Sequence, residues 1–387
     1  MLHLSAPGAP PASLTGAPGA PDLPRASRLT DPALDTDRPR PARSLGRAVL
    51  RRLPLVGTLL GLALGTWLVA TNDLGAIADA FGRVGAPGLA AIVLVRVLIL
   101  LLCGMAWGQT IRGLAGIGQA GSGAFAVLRF VREGINVLLP VASVGGDVVG
   151  GRLLTFWGAT GALAAASIMV DMLFQAGTQA VFALLGVGLL LQVSGESAHA
   201  LATWVLRALA VTALLLAGFV AAQRSPAARA AARRVVAWGR RALRGPEAAD
   251  SPQGGGVYGA LDAIWARARR GNLAASILLH LAAWLLGAVE IGIALACIGV
   301  PSVGVAEILI IEALSQAIKS AAFPVPSGLG VQEGGFVLLG GLFGIDAGTA
   351  LALSLVKRVP DVVLGLPALI LWQTLEARRG TILPPRA

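Results

Sequence analysis

Residues 129–147 read RFVREGINVLLPVASVGGD, and residues 312–335, in the other half of the chain, read EALSQAIKSAAFPVPSGLGVQEGG. Each interrupts a long apolar run with a polar stripe at helical spacing, then with proline and glycine. Arg129, Arg132, Glu133 and Asn136 fall at i, i+3, i+4 and i+7, so a helix puts all four on one face. Glu312, Ser315, Gln316 and Lys319 repeat that spacing. In hydrocarbon an unpaired backbone group costs several kcal/mol, so a broken helix is tolerated only where it lines a cavity or is buried in protein. Matched breaks in two halves point to a binding site at an inverted-repeat interface.

Working outward, the chain is 56% hydrophobic and 13% charged, with a mean hydropathy of +0.77. Soluble domains carry about 25% charged residues, which excludes that class. The expected fold is an all-α polytopic membrane helix bundle, in two halves with broken or re-entrant helices related as an inverted repeat. Stretches of spanning length, roughly 17 to 25 residues, lie near 54–70, 89–110, 158–193, 202–222, 274–300, 305–322 and 348–374. The run from Gly158 is long enough to hold a hairpin. The expected order is a disordered tail over 1–52, a membrane half over 53–222, a basic loop over 223–271, a second half over 272–376 and a short tail over 377–387.

The net charge of +11 does not indicate nucleic acid. Its arginines concentrate in the tail, from Arg38 to Arg52, and in the central loop, from Arg224 to Arg270, with few aromatics between them. The positive-inside rule places both segments, and so both termini, in the cytoplasm. Residues 1–42, rich in Pro, Ala, Gly and Ser, cannot bury enough surface to fold. The loop 72–88, with only Asp73, Asp79 and Arg83, fits an external face. Within the central loop, 226–244 is expected as an amphipathic surface helix, and Gly254–Gly256 as a hinge. Gly57, Gly61 and Gly65 offer a close-packing helix face.

A polar stripe cannot point at lipid, because each mid-bilayer charge costs about 2.5 to 3.5 kcal/mol on insertion scales. Arg129 can pair with Glu133 at i, i+4, leaving Arg132 for another partner. Pro140 should end that helix, with Gly145, Gly146 and Asp147 forming a turn and Arg152 just beyond. In the second segment Pro324 and Pro326 break the helix, Gly328 and Gly330 allow tight backbone, and Gln332, Glu333 and Gly334 open a new helix. Arg96, Asp171 and Glu290 stand singly in other spans, while Arg358 and Asp361 can pair at i, i+3. Cys103 and Cys297 read as small apolar fillers. His3, His199 and His280 are too scattered for a catalytic metal. GLGVQEGG, from Gly328, mimics a dinucleotide fingerprint, but its third glycine is one residue late and no strand-helix-strand unit surrounds it. No ATP-binding loop motif is present and no cofactor is implied.

These two segments resemble the membrane domain of the lysylphosphatidylglycerol synthase family, also described as the flippase-like domain family. The matching residues are R-x-x-R-E-G-x-N through Asn136, LLP ending at Pro140, Gly146-Asp147, and PSGLGVQEGGFVLLGGLFGI from Pro326. The resemblance extends over roughly 55–376 and its form is similar to the hopanoid-biosynthesis-associated branch. It implies a bundle that moves lipids such as aminoacylated phosphatidylglycerol, glycolipids or hopanoids between leaflets or toward the outer membrane. It implies functional positions at Arg129, Arg132, Glu133, Asn136, Asp147, Pro326, Gly328, Gln332 and Glu333. The soluble aminoacyltransferase domain of the synthases has no counterpart before Ala387, so synthase activity is not expected.

The leading expectation is a bacterial inner-membrane translocator, not an enzyme, whose partners are membrane lipids together with lipid-synthesis enzymes or an export system. Arg129, Arg132 and Arg152 would contact a phosphate or polyol. Glu133, Asp147 and Glu333 would accept hydroxyls or carry a coupling proton. Glu312, Lys319, Gly330 and Arg358 complete the candidate set. The competing readings are a head-group transferase using Glu333 or Asp147 as general base, and a scaffold docking through the arginine loop. Hopanoid heads are neutral, whereas the first stripe carries more arginine than acid, which suits an anionic lipid better.

Overall fold

The computed structural model describes residues 74–139, 145–193, 196–227, 229–231, 254–300, 302–322 and 328–379, with isolated positions at 63, 66, 67, 70, 234 and 325. Pro140, Pro324, Pro326, the glycines at 57, 61 and 65, and most of 226–244 lie outside the described residues. All of the described residues belong to one unit, Ala48–Ala387, and they form helices without strands. The helices are α1 Leu74–Ile111, α2 Ser122–Leu138, α3 Gly145–Leu154, α4 Gly161–Leu190, α5 Glu196–Arg224, α6 Gly254–Ile264, α7 Arg270–Ile298, α8 Val305–Ala321, α9 Val331–Leu342 and α10 Ala347–Ala377. Short 3₁₀ turns follow α3 and precede α7.

Four helices are long and apolar enough to cross a membrane: α1, α4, α5 from Ala198, and α7 with its preceding turn. In α5 Trp204, Leu214 and Leu215 are exposed, as expected of a helix facing lipid. The run from Gly158 holds no hairpin and is the single helix α4.

Two further expectations give way. Residues 74–88 are not an external loop. They form the first turns of α1, burying Ile77, Ala80 and Val84, a spacing that places all three on one helical face. The chain then breaks at Gly85, whose φ of +58° is open to glycine at little steric cost, and Pro87 starts the next stretch. Gly254–Gly256 are likewise no hinge. They are the first turn of α6, whose Leu261 and Ile264 are fully buried.

The two halves repeat one plan. The helices α2 and α8 have 17 residues each, and both start from a glycine with extended backbone, Gly121 and Gly304. At 1.5 Å per residue they are about 25 Å long, short of the ~30 Å hydrocarbon core. The chain turns back after α8 into α9, as α2 turns back into α3. The contacts are reciprocal: α2 packs on α10 as α8 packs on α4, and α1 packs on α7. The α1–α7 pair is antiparallel, since the Gly88 position faces Cys297, Arg96 meets Glu290, and the Thr110 carbonyl meets Arg269. This is the arrangement of an inverted repeat.

Two apolar clusters fill the bundle. One joins the start of α1 to the end of α7 and to α8, α9 and the start of α10. The other joins the end of α1 to α2, α3, α4, α6 and the start of α7. Between them, at mid-length of α1, α4 and α7, lies a polar layer.

The helix α10 opens at Asp346, whose carboxylate accepts the Thr349 amide at 2.9 Å. Hydrogen bonding from the Thr349 side chain, and then from its amide, holds the Asp346 pKa below its ordinary value of 3.8. A depressed carboxylate stabilises the fold above that ordinary value, and the contribution is lost as pH falls through the folded pKa. Asp346→Ala is expected to lower stability at neutral pH by about 1 kcal/mol and to lose that deficit in acid. Melting curves in detergent at about pH 7 and about pH 3 check this.

Candidate functional site

The polar layer holds two ion-pair networks at equivalent places in the two halves. The first centres on Asp171, the eleventh residue of α4. Arg132 donates to Asp171 at 2.7 Å and also to Asp147 of α3. Arg129 lies 3.9 Å from Asp171 and bonds Gln175 and Glu133, each at 3.1 Å. His280 of α7 meets the other Asp171 oxygen at 3.1 Å. Asn136 caps the arrangement by donating to Asp147 at 3.2 Å and accepting the Gly146 amide at 2.8 Å. The Arg132 guanidinium also lies 4.6 Å from the Trp107 ring centre, a favourable cation–π contact.

The second network centres on Lys357, the eleventh residue of α10, and its charges are reversed. Lys357 donates to Glu312 at 2.6 Å, to the Gly287 carbonyl at 3.1 Å, and lies 3.1 Å from Glu290. Arg129 and Glu312 are each the eighth residue of their helices. An arginine facing an aspartate in one half thus corresponds to a glutamate facing a lysine in the other. Arg96 of α1 grips Glu290 with two bonds of 2.8 Å and reaches Asp361 at 3.0 Å. Asp147 and Glu333 also correspond, each third in its helix; Glu333 accepts Arg358 at 2.5 and 3.2 Å. Carboxylates in a first turn sit well with the helix dipole.

Asp147 therefore lies in the first turn of α3, not in a turn before it. Arg358 and Asp361 do not pair; they turn to Glu333 and Arg96, because α10 presents them to different neighbours. Arg152 is more than half exposed and pairs with Glu376, away from the layer. Gln332 bonds Ser354 at 3.4 Å. Gly328 and Gly330, with φ of +59° and +73°, make the turn into α9, and the Gly328 carbonyl accepts Arg358. Arg96, Asp171, Glu290 and Lys357 gain their importance only here. The first three are isolated in sequence and Lys357 stands in a cluster with Arg358, Pro360 and Asp361, so the local signal was an ionisable residue inside an apolar run.

Between the networks lies a cavity of about 130 Å³, room for several waters. Arg96, Arg129, Glu133, Gln175, His280 and Lys319 are among its walls. Lys319 differs from the other bases: no ion pair or hydrogen bond engages its ammonium among the described residues. Arg129 Nε is buried and also without a partner among them. A narrow crevice shares Arg96, Leu100 and Glu133 with this cavity and runs on between α2 and α10. On the far side of the α4–α8 contact is an apolar groove of about 420 Å³, walled by α4, α5 and α8. Gln179, at its edge, donates to the Gln316 carbonyl at 3.0 Å and to Ser320. The arrangement combines unengaged donors at mid-span with a hydrocarbon-lined surface one helix layer away.

Neither a search of curated proteins nor a search of solved structures gives a match to the chain. The family model described as the lysylphosphatidylglycerol synthase TM region matches residues 55–368, which takes in both broken hairpins and every member of the two networks. The chain belongs to the lysylphosphatidylglycerol synthase transmembrane-region family.

Proposed function

We propose that this protein is a lipid translocator of the bacterial inner membrane, with both termini cytoplasmic, moving a polar-headed lipid rather than modifying one. The observation that carries the reading is the mid-span cavity between two broken hairpins, with Lys319 facing it and no carboxylate among the described residues engaging its ammonium. A base left in such a place is suited to an oxygen ligand that enters and leaves. The head group would enter the cavity, and a hydrocarbon chain would lie in the α4–α5–α8 groove. Lys319 and Arg129 Nε favour a head group with a phosphate, such as an aminophospholipid or phosphoglycolipid, over a neutral hopanoid of the branch that the second motif resembles. Family membership supports lipid handling, and the inverted repeat supports alternating access around a central site.

The test compares lipids of separated inner and outer membranes in the native strain, a deletion strain and a Lys319→Gln strain. A charge-assisted hydrogen bond is worth about 1.5–3 kcal/mol, so the variant should handle its lipid roughly 10- to 100-fold less well. One lipid class should accumulate in the inner membrane in both mutants, its total unchanged. Disappearance of that class altogether would overturn the reading in favour of a head-group enzyme.

A further inference from the structure

We propose that His280 is a proton-binding site: a buried imidazolium in the resting protein that exchanges its proton through the central cavity. The argument starts from the charge balance. Around Asp171 stand three carboxylates, Glu133, Asp147 and Asp171 itself, against two guanidinium groups, Arg129 and Arg132. The second network sets four carboxylates against three paired bases. Glu290, Glu312, Glu333 and Asp361 face Arg96, Lys357 and Arg358, with Lys319 in the same layer. Over the whole layer seven carboxylates meet six bases, Lys319 included, so one negative charge is left over. A buried charge without compensation costs several kcal/mol, and among the described residues the remaining basic side chain in contact with these carboxylates is His280.

The geometry suits this. Both His280 and Asp171 are fully buried, and the 3.1 Å contact joins His280 Nε2 to the Asp171 oxygen that the arginines leave free. His280 Nδ1 makes no hydrogen bond among the described residues and is closed to water in this packing, but the residue borders the cavity, so a small shift of the wall brings the proton within reach of water there. The helices packed against α7 are α1, α4, α8 and α10. They turn toward this region Cys103 and Arg96 from α1, Asp171 from α4, Glu312 and Lys319 from α8, and Lys357 and Asp361 from α10; α7 itself adds Glu290. The titratable group in contact with the ring besides Asp171 is the Cys103 thiol.

Coupling to transport rests on the translocator reading. Loss of the proton returns one net negative charge to the cavity, which disfavours an anionic head group. Transport of such a lipid should therefore fall as pH rises through the His280 titration.

Two measurements separate the outcomes. The chain has three histidines, His3, His199 and His280, so a His3→Gln/His199→Gln variant in lipid nanodiscs reports His280 alone by imidazole ¹⁵N shifts. The expected result is an imidazolium at about pH 7 that becomes neutral as the pH is raised over the range in which the protein stays folded. A neutral ring at pH 7, or an imidazolium that never titrates in that range, overturns the proposal. The second follows a fluorescent phosphatidylglycerol in vesicles of phosphatidylcholine and phosphatidylglycerol. The rate should drop about tenfold per pH unit above the NMR midpoint, and His280→Gln should flatten the profile. A protein that transports at a pH-independent rate also overturns it. A protein that moves no lipid sinks the translocator reading instead, while the NMR result still decides the state of His280.

Discussion

Arg132→Ala is expected to destabilise the protein by about 3–5 kcal/mol, the cost of breaking a buried ion pair from one side. Arg132 is 1% exposed, and its two terminal nitrogens serve two carboxylates, Asp171 and Asp147. Removing it leaves both acids in the polar layer with only Arg129, His280 and Asn136 to compensate. It also empties the space beneath Gly150, where the arginine stem is packed, and removes the contact with Trp107. Arg132→Lys should recover little, because one ammonium cannot present two separated donors in the fixed geometry of a guanidinium. Adding Asp171→Asn to Arg132→Ala should return part of the loss, since the acid then no longer needs a counter-charge. Chemical denaturation in detergent, run on the single and double variants, measures the coupling. A single-variant loss below about 1 kcal/mol would show that the network does not hold α2, α3 and α4 together.

Gly146→Ala should be strongly destabilising, although it adds a single methyl. A Cβ on Gly146 would run into the Arg132 backbone carbonyl and lie 2.7 Å from the Asn136 amide oxygen. Neither obstacle is the free end of a flexible side chain: one is main chain and the other is held by its bonds to the Gly146 amide and Asp147. The helix α3 must therefore move away from α2, which pulls Asp147 off Arg132. Overpacking costs about 1–3 kcal/mol where side chains can shift, and the lost ion pair adds to it. Gly177→Ala is the matched control, because nothing lies within 4 Å of its Cβ position. It should be neutral or stabilising by up to about 1 kcal/mol, the helix-propensity difference. Thermal melts in detergent distinguish the two, and equal melting temperatures would refute the close-packed α2–α3 hairpin.

How far the fold could be read from sequence differs from element to element. The membrane bundle was legible in composition, and the hairpins in the matched stripes, because a charged helical face in lipid has few places to go. The left-handed glycines before α9 were legible too, since Gly-x-Gly beside prolines marks a turn. Residues 74–88 were misread as a loop because Asp79 and Arg83, with Asp73 just before them, lowered the hydropathy, although their apolar residues keep a helical face. The partners of the charges were not legible. Local spacing pairs Arg358 with Asp361, whereas the bundle gives Asp361 to Arg96, 265 residues away, and Glu290 to the same arginine across 194 residues.

The sequence alone determined that this chain lies in a membrane and that its two halves carry equivalent broken segments with polar faces, because periodicity and the cost of charge in hydrocarbon are local properties. Only the tertiary structure decided that Asp171 and Lys357 are the equivalent centres of two oppositely charged networks, with His280 on one side and an unengaged Lys319 on the other. That follows from the antiparallel packing of α1 on α7 and the reciprocal packing of α2 on α10 and α8 on α4. Burial obliges each charge to find a partner, and which partner it meets depends on how distant helices cross.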